Sequence, residues 1–157
     1  MSMKHFLQRR HVPFEVVAHP RAFDAQHLAQ ALHTPGCEVA KTVLLRIDHG
    51  ERYVVAVLPS TLMIDLKKLS GQLGGATVEL ATELEIAERC PDCEFGVVPP
   101  FGSHYGAETI VEAALTGDEH ISFESDSFTE AIRMKYSDFQ SYERPAVVDF
   151  ACHTEST

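Results

Sequence analysis

Lys41 stands in the run VAKTVLLR, at the mouth of an apolar stretch. A lysine there either snorkels its ammonium to the rim or turns it into a pocket. In a pocket, the charge can hold a phosphate or steady a developing oxyanion. A second stretch with chemical potential is FGVVPPFGSHYG, Phe95 to Gly106. Proline fixes φ and removes a donor, while glycine admits positive φ and the close approach of another backbone or a ligand. Together they build a loop of set shape, which is either a tight corner or a pocket wall. Ser103 and His104 add a hydroxyl and an imidazole to it, but nothing local pairs Ser103 with a base.

Cys90 and Cys93 form a single C-P-D-C. A structural zinc site takes four ligands, usually from two such knuckles, and Cys37, Cys152 and His153 are not at knuckle spacing. A redox CxxC opens a helix after a strand, whereas this one follows a predicted helix. The pair reads as two small, partly buried apolar side chains. Neither HExxH nor GxSxG occurs. The sequence therefore predicts no metal and no cofactor.

The elements that must position these residues are short. Helices are predicted over MKHFLQRRH with Phe6 and Leu7 inward, over DAQHLAQALH with Asp24 as N-cap, over IDLKKLSGQLG, over ATELEIAERC with Thr82 as cap, and over YSDFQSY. Strands are predicted over FEVVAH, AKTVLLRI, RYVVAVL, ATVEL, HISFES and AIRMK, and TIVEAAL fits either type. AKTVLLRI and RYVVAVL, joined by Asp48-His49-Gly50-Glu51, give the strongest hairpin signal, and their continuous hydrophobicity predicts cover on both faces. Strands mixed with helices in this order predict an α+β fold, with a mixed, strongly curved, barrel-like sheet surrounded by short helices.

At 157 residues, the expectation is one domain over 1–157 with a frayed tail from about 152. Hydrophobic residues make up 45% and charged residues 23%, the composition of an ordinary globular protein. No apolar run approaches the ~20 residues of a membrane span, and the start lacks a signal-peptide core. The expected location is the cytoplasm, with no membrane partner. A net charge of -10 argues against a grip on DNA through its phosphates. It leaves room for a small basic patch built from Arg9, Arg10, Lys67, Lys68 or Arg133.

VAKTVLLR, a strand ending VLP, the helix with IDLKKL and then DCEFGVVPPFG, in this order, resemble the YbaK/prolyl-tRNA-synthetase-associated domain family. The resemblance runs from about His19 to Phe139. It rests on the strand lysine in A-K-T and on a GxxxPxG loop formed by Gly96, Pro100 and Gly102. It implies a mixed α/β fold with a barrel-like sheet, and a trans-editing enzyme that hydrolyses the ester of a mischarged aminoacyl-tRNA. Alanine on tRNA for proline is the first expectation, with serine or cysteine next. In family terms Lys41 is the residue needed for activity. Gly96, Pro100, Phe101, Gly102, Ser103 and His104 would line the site for the amino acid and the terminal adenosine, with Asp24 and Phe128 also binding substrate. Many relatives carry threonine at Asp24. Relatives also end a strand in G-[ST]-H where this chain has Asp126-Ser127-Phe128, so a phenylalanine replaces a site histidine. The chemistry the resemblance implies needs no metal and no protein nucleophile, because the ribose hydroxyl assists the attacking water.

Such a function has a physical rationale. One methylene is worth only ~1–3 kcal/mol to a synthetase, so near-isosteric errors need a second site. The ester is already activated, and positioning plus backbone N–H donors from a glycine loop, with Lys41 facing it, would supply modest catalysis. The expected partners are the 3′ end of an aminoacyl-tRNA and a synthetase that delivers it. The alternatives are a non-catalytic module that binds a tRNA end or a synthetase, and a small-molecule sensor using the same pocket.

Overall fold

The computed structural model describes residues 3–20, 25–32, 35–91, 93, 97–125 and 127–153. Its centre is the expected hairpin. Strand β2 (Ala40–Ile47) pairs antiparallel with β3 (Arg52–Pro59), from Ala40↔Pro59 to Ile47↔Arg52 without a slip. The turn takes positive φ at Asp48 (49°), His49 (61°) and Gly50 (103°). Asp and His are among the few non-glycine residues that enter this region readily.

The hairpin grows on both edges. Strand β5 (Val78–Leu80) adds antiparallel to β2, and β6 (Glu108–Glu112) adds parallel to β3. Strand β9 (Ala146–Val148) then adds parallel to β6, which completes a five-stranded mixed sheet of order β5-β2-β3-β6-β9. The ambiguous TIVEAAL supplies β6 and then a 3-10 turn, Ala113–Gly117. A second sheet is antiparallel, order β1-β8-β7, from Glu15–Ala18, Glu130–Lys135 and His120–Glu124. A third pairs β4 (Leu62–Ile64) with β10 (Ala151–His153).

The expected barrel-like curl is not found. Among the described residues, all three sheets are open. Closure needs a continuous ladder between the end strands. Here β5 pairs only along β2 and β9 only along β6, each over three residues. The link between the two larger sheets is a parallel bridge, Val39↔Ser122, just before β2 begins.

The five-stranded sheet is covered on both faces, as its hydrophobicity predicts. On one face Leu44, Val55, Val57 and Val111 meet Ile121, Phe123, Ile132 and Met134 of the second sheet. Helix α1 (Met3–Arg9) adds Phe6 and Leu7 there, and the C-terminal helix adds Tyr136 and Phe139. On the other face Leu45, Ile47, Val54, Ala56 and Leu58 pack with Leu69 and Phe150. A third cluster joins Leu28 and Ala29 of α2 (Ala25–Leu32) to Val39 and Ala131. Leu69 belongs to α3 (Leu66–Gln72), whose cap is Asp65; α4 (Glu83–Arg89) has a complete capping box between Thr82 and Glu85. The last helix, α5 (Tyr136–Glu143), ends at Arg144, which adopts a left-handed conformation.

Candidate functional site

The glycine–proline loop is built as a corner first. Phe101 is fully buried, with edge-on rings from Phe6, Phe123 and Phe139 at 5.8, 5.9 and 5.3 Å. With no exposed surface, Phe101 anchors the loop. Gly102 begins a 3-10 turn, Gly102–Tyr105. A Cβ at Gly102 would lie 2.6 Å from the Ala107 carbonyl and 2.6 Å from Thr109 Oγ1, so only glycine lets this turn close on β6.

One carboxylate ties the corner down. Glu143, the last residue of α5, accepts from the Ser103 hydroxyl at 2.6 Å and the Ser103 N–H at 3.1 Å. It also accepts from the Thr109 hydroxyl at 2.6 Å, and Thr109 Oγ1 in turn accepts from the Gly102 N–H at 2.8 Å. The His104 N–H goes to the Phe101 carbonyl at 2.9 Å. Three successive loop N–H groups are thus committed within the protein. The His104 ring rests on Phe6, centroids 4.4 Å apart, and Arg10 lies over the other partners of that stack: its guanidinium is 5.1 Å from the Phe6 centroid and 2.7 Å from the Tyr142 hydroxyl.

Pro100 is buried next to Phe101. Asp24 and Gly96 lie outside the described residues. Phe128 is half-buried in the turn between β7 and β8.

Lys41 is half-buried near the start of β2, opposite Leu58. Side chains alternate along a strand, so Lys41 shares its face with Val43, Leu45 and Leu58. Phe101 and Val98 pack into the core on the opposite face. The register therefore does not set Lys41 against the Phe101 side of the loop. The isolated parallel bridge Val39↔Ser122 joins the residue just before β2 to β7, at the end of β2 where Lys41 lies.

At that end of β7 the structure gathers polar groups that the sequence analysis did not single out. The His19 side chain is 1% exposed, with Nδ1 2.8 Å from the Pro20 carbonyl. A carbonyl only accepts, so Nδ1 carries the proton. Nε2 faces Glu124 Oε2 at 3.4 Å, which is an ion pair when the ring is protonated. Buried Ser125 follows, and its N–H donates to the Glu130 carbonyl at 3.0 Å. No local spacing marks this group, because three separate strands bring it together.

A chain of polar residues runs along the α4 side of β2 and β3. Arg46 donates to Glu85 and Glu79, each at 3.2 Å, and Tyr53 donates to Glu85. The Arg89 guanidinium covers the Tyr53 ring at 4.2 Å. The Thr82 N–H first, then the Tyr53 hydroxyl, hold the Glu85 carboxyl down at about 2.

The model of the aminoacyl-tRNA editing domain matches residues 19–142, a span that holds Lys41 and the whole loop. The chain belongs to this family. Helix α1 and Glu143, which support the loop, lie outside the matched span. No curated protein matches the sequence. Among solved structures the fold is similar to that of a candidate trans-editing enzyme for prolyl-tRNA synthetase, with TM-score 0.78, 21% identity, and 94% and 92% of the two chains covered. It is similar to a hypothetical protein at TM-score 0.84 and 16% identity, covering 95% and 98%. It is similar to a scaffold from computational epitope grafting at TM-score 0.82 and 18% identity, covering 97% and 96%.

Proposed function

We propose that this editing domain hydrolyses the ester bond of a mischarged aminoacyl-tRNA, acting in trans. The observation that carries the reading is the family match across residues 19–142, with the A-K-T lysine and the GxxxPxG loop both inside it. Lys41 is the residue proposed to be essential. Its ammonium would meet the terminal phosphate or the oxyanion that forms as water attacks the ester. The attacking water would be assisted by the substrate's own ribose hydroxyl, so no side-chain nucleophile is required. The flank of Lys41 is the proposed place for the amino acid, and Gly96, Pro100 and Asp24 are proposed as substrate-binding residues. Ser103 and His104 act from the rear of the loop.

Alanine on tRNA for proline is the first substrate proposed, then serine and cysteine. A small pocket accepts small errors, and a synthetase separates such amino acids poorly. A synthetase would deliver the tRNA. Hydrolysis of a panel of alanyl, seryl, cysteinyl and prolyl esters on tRNA for proline tests the reading. Turnover of one small amino acid with prolyl-tRNA spared supports it, and equal inertness towards all would sink it. The second reading is a non-catalytic module that binds the tRNA end. Phe128 favours it, because an apolar ring stands where the resemblance implies an imidazole.

A further inference from the structure

We propose that Cys90 and Cys93 are a thiol–disulfide exchange site that takes small-molecule disulfides and closes to an intramolecular disulfide. The chain is folded for closure. Helix α4 stops at Cys90, whose N–H donates to the Ile86 carbonyl at 2.8 Å. The Cys93 N–H then turns back to the Cys90 carbonyl at 3.2 Å. A turn with this hydrogen bond brings its end Cα atoms within ~7 Å, the separation a disulfide spans. Neither sulfur is held in a disulfide, and both residues line a cavity of about 560 Å³, together with Glu88, Arg89, Pro91, His104 and Tyr105. That space admits a small disulfide. A hydrogen bond from Cys93, then the charge of Arg89, favour the Cys90 thiolate, while burial opposes it. The site is unlike a thioredoxin-type CxxC, because it sits at a helix C-terminus, where no dipole stabilises a thiolate. A dithiol without that stabilisation gives up its disulfide reluctantly once formed.

The exchange balances without another reactant. The Cys90 thiolate attacks one sulfur of the small disulfide and expels the other half as a thiolate. Cys93 loses its proton to that thiolate and attacks the Cys90 sulfur, expelling the second half. One small disulfide becomes two small thiols, and the protein loses two hydrogens.

The site touches the loop. His104 and Tyr105 belong to the 3-10 turn Gly102–Tyr105 and share the cavity wall, and the Tyr105 hydroxyl donates to the Pro99 carbonyl. Burial first, and then charge at Cys90 and Cys93, push the Tyr105 phenol up, so this ring lies within electrostatic reach of both sulfurs. Closing the disulfide is therefore felt on the rear of the loop. The inference does not depend on the editing reading.

Oxidised glutathione is the probe. The whole protein, and a Cys37→Ser/Cys152→Ser form that removes the two exposed thiols, are incubated with it and analysed by intact mass and thiol titration. The expected product of the double variant is lighter by two hydrogens, carries no glutathione and has no remaining thiol. Adding Cys93→Ser should trap one glutathione on Cys90. In the aromatic NMR spectrum the His104 and Tyr105 signals should shift on oxidation and return with reductant. Retention of both thiols, or a stable adduct with no internal disulfide in the double variant, would overturn the site. Closure without any shift at His104 and Tyr105 would overturn its link to the loop.

Discussion

Glu143 does at the residue scale what the loop's own sequence cannot. Its carboxylate takes three donors from Ser103 and Thr109 and so fixes the rear of the corner. Replacing it by alanine leaves the buried Thr109 hydroxyl without its acceptor, a cost of ~1–3 kcal/mol. Glu143→Ala should also slow deacylation on the order of 10- to 100-fold through misplacement of the loop. Glu143→Gln, which can still accept from Ser103, should recover most of both. Urea unfolding and single-turnover hydrolysis check the two effects, and a Glu143→Ala protein with unchanged rate would detach the strut from the site. Gly102 is a sharper case. An added methyl meets backbone at Ala107 and the Thr109 hydroxyl, so Gly102→Ala should cost ~1–3 kcal/mol. A melting temperature equal to that of the wild type would contradict that geometry.

At the scale of elements, α4 is held to the hairpin by Glu85, which serves its capping box, Arg46 and Tyr53 together. Its carboxyl lies at about 2 in the folded state against an ordinary 4.5. A depressed folded value means stability that is complete above the unfolded value and lost as pH falls from about 4.5 through about 2. Glu85→Gln should therefore be less stable than the wild type at neutral pH, and the two should converge as pH approaches 2. Parallel stability curves down to that pH would contradict the assignment. Glu112 performs a similar task at the end of β6. Buried to 3% exposure, it accepts from the N–H groups of Phe150 and Ala151 at 3.2 and 3.3 Å. Glu112→Ala should lower unfolding free energy by at least ~2 kcal/mol in urea titration.

These two glutamates also show what was legible in the sequence. The cap at Thr82 and the hairpin at Asp48–Glu51 are local patterns, and both formed as read. Strands β4, β9 and β10, of three residues each, were not separately legible, because distant partners such as Glu112 hold them. The barrel-like curl failed for a related reason: the edges of β5 and β9 depend on pairing lengths that hydrophobicity does not encode. Within the site, the two motifs were legible as residue types. The side of the sheet that Lys41 takes was not, since one residue of register decides it. Nor was Glu143, which lies 40 residues from Ser103 in the chain.

For the whole molecule, charge bears on how the proposed tRNA substrate would be met. The net charge is -10, and much of the candidate basic patch is already engaged. Lys68 pairs with Asp149 at 2.8 Å, Arg133 approaches Glu15 at 4.0 Å, and Arg10 lies over Phe6. The isolated domain should bind tRNA weakly, with affinity falling as salt rises. Tight binding that ignores salt would contradict this, and a measured gain on adding a synthetase would identify the delivering partner. No helix among the described residues is long and apolar enough to cross a membrane.

The most direct test of the central claim is hydrolysis of mischarged tRNA by the wild type and by Lys41→Ala, side by side. Rapid release of one amino acid by the wild type, lost in a variant with an unchanged melting curve, is the predicted result. An equal rate in Lys41→Ala, or no release of any amino acid by the folded wild type, would contradict it.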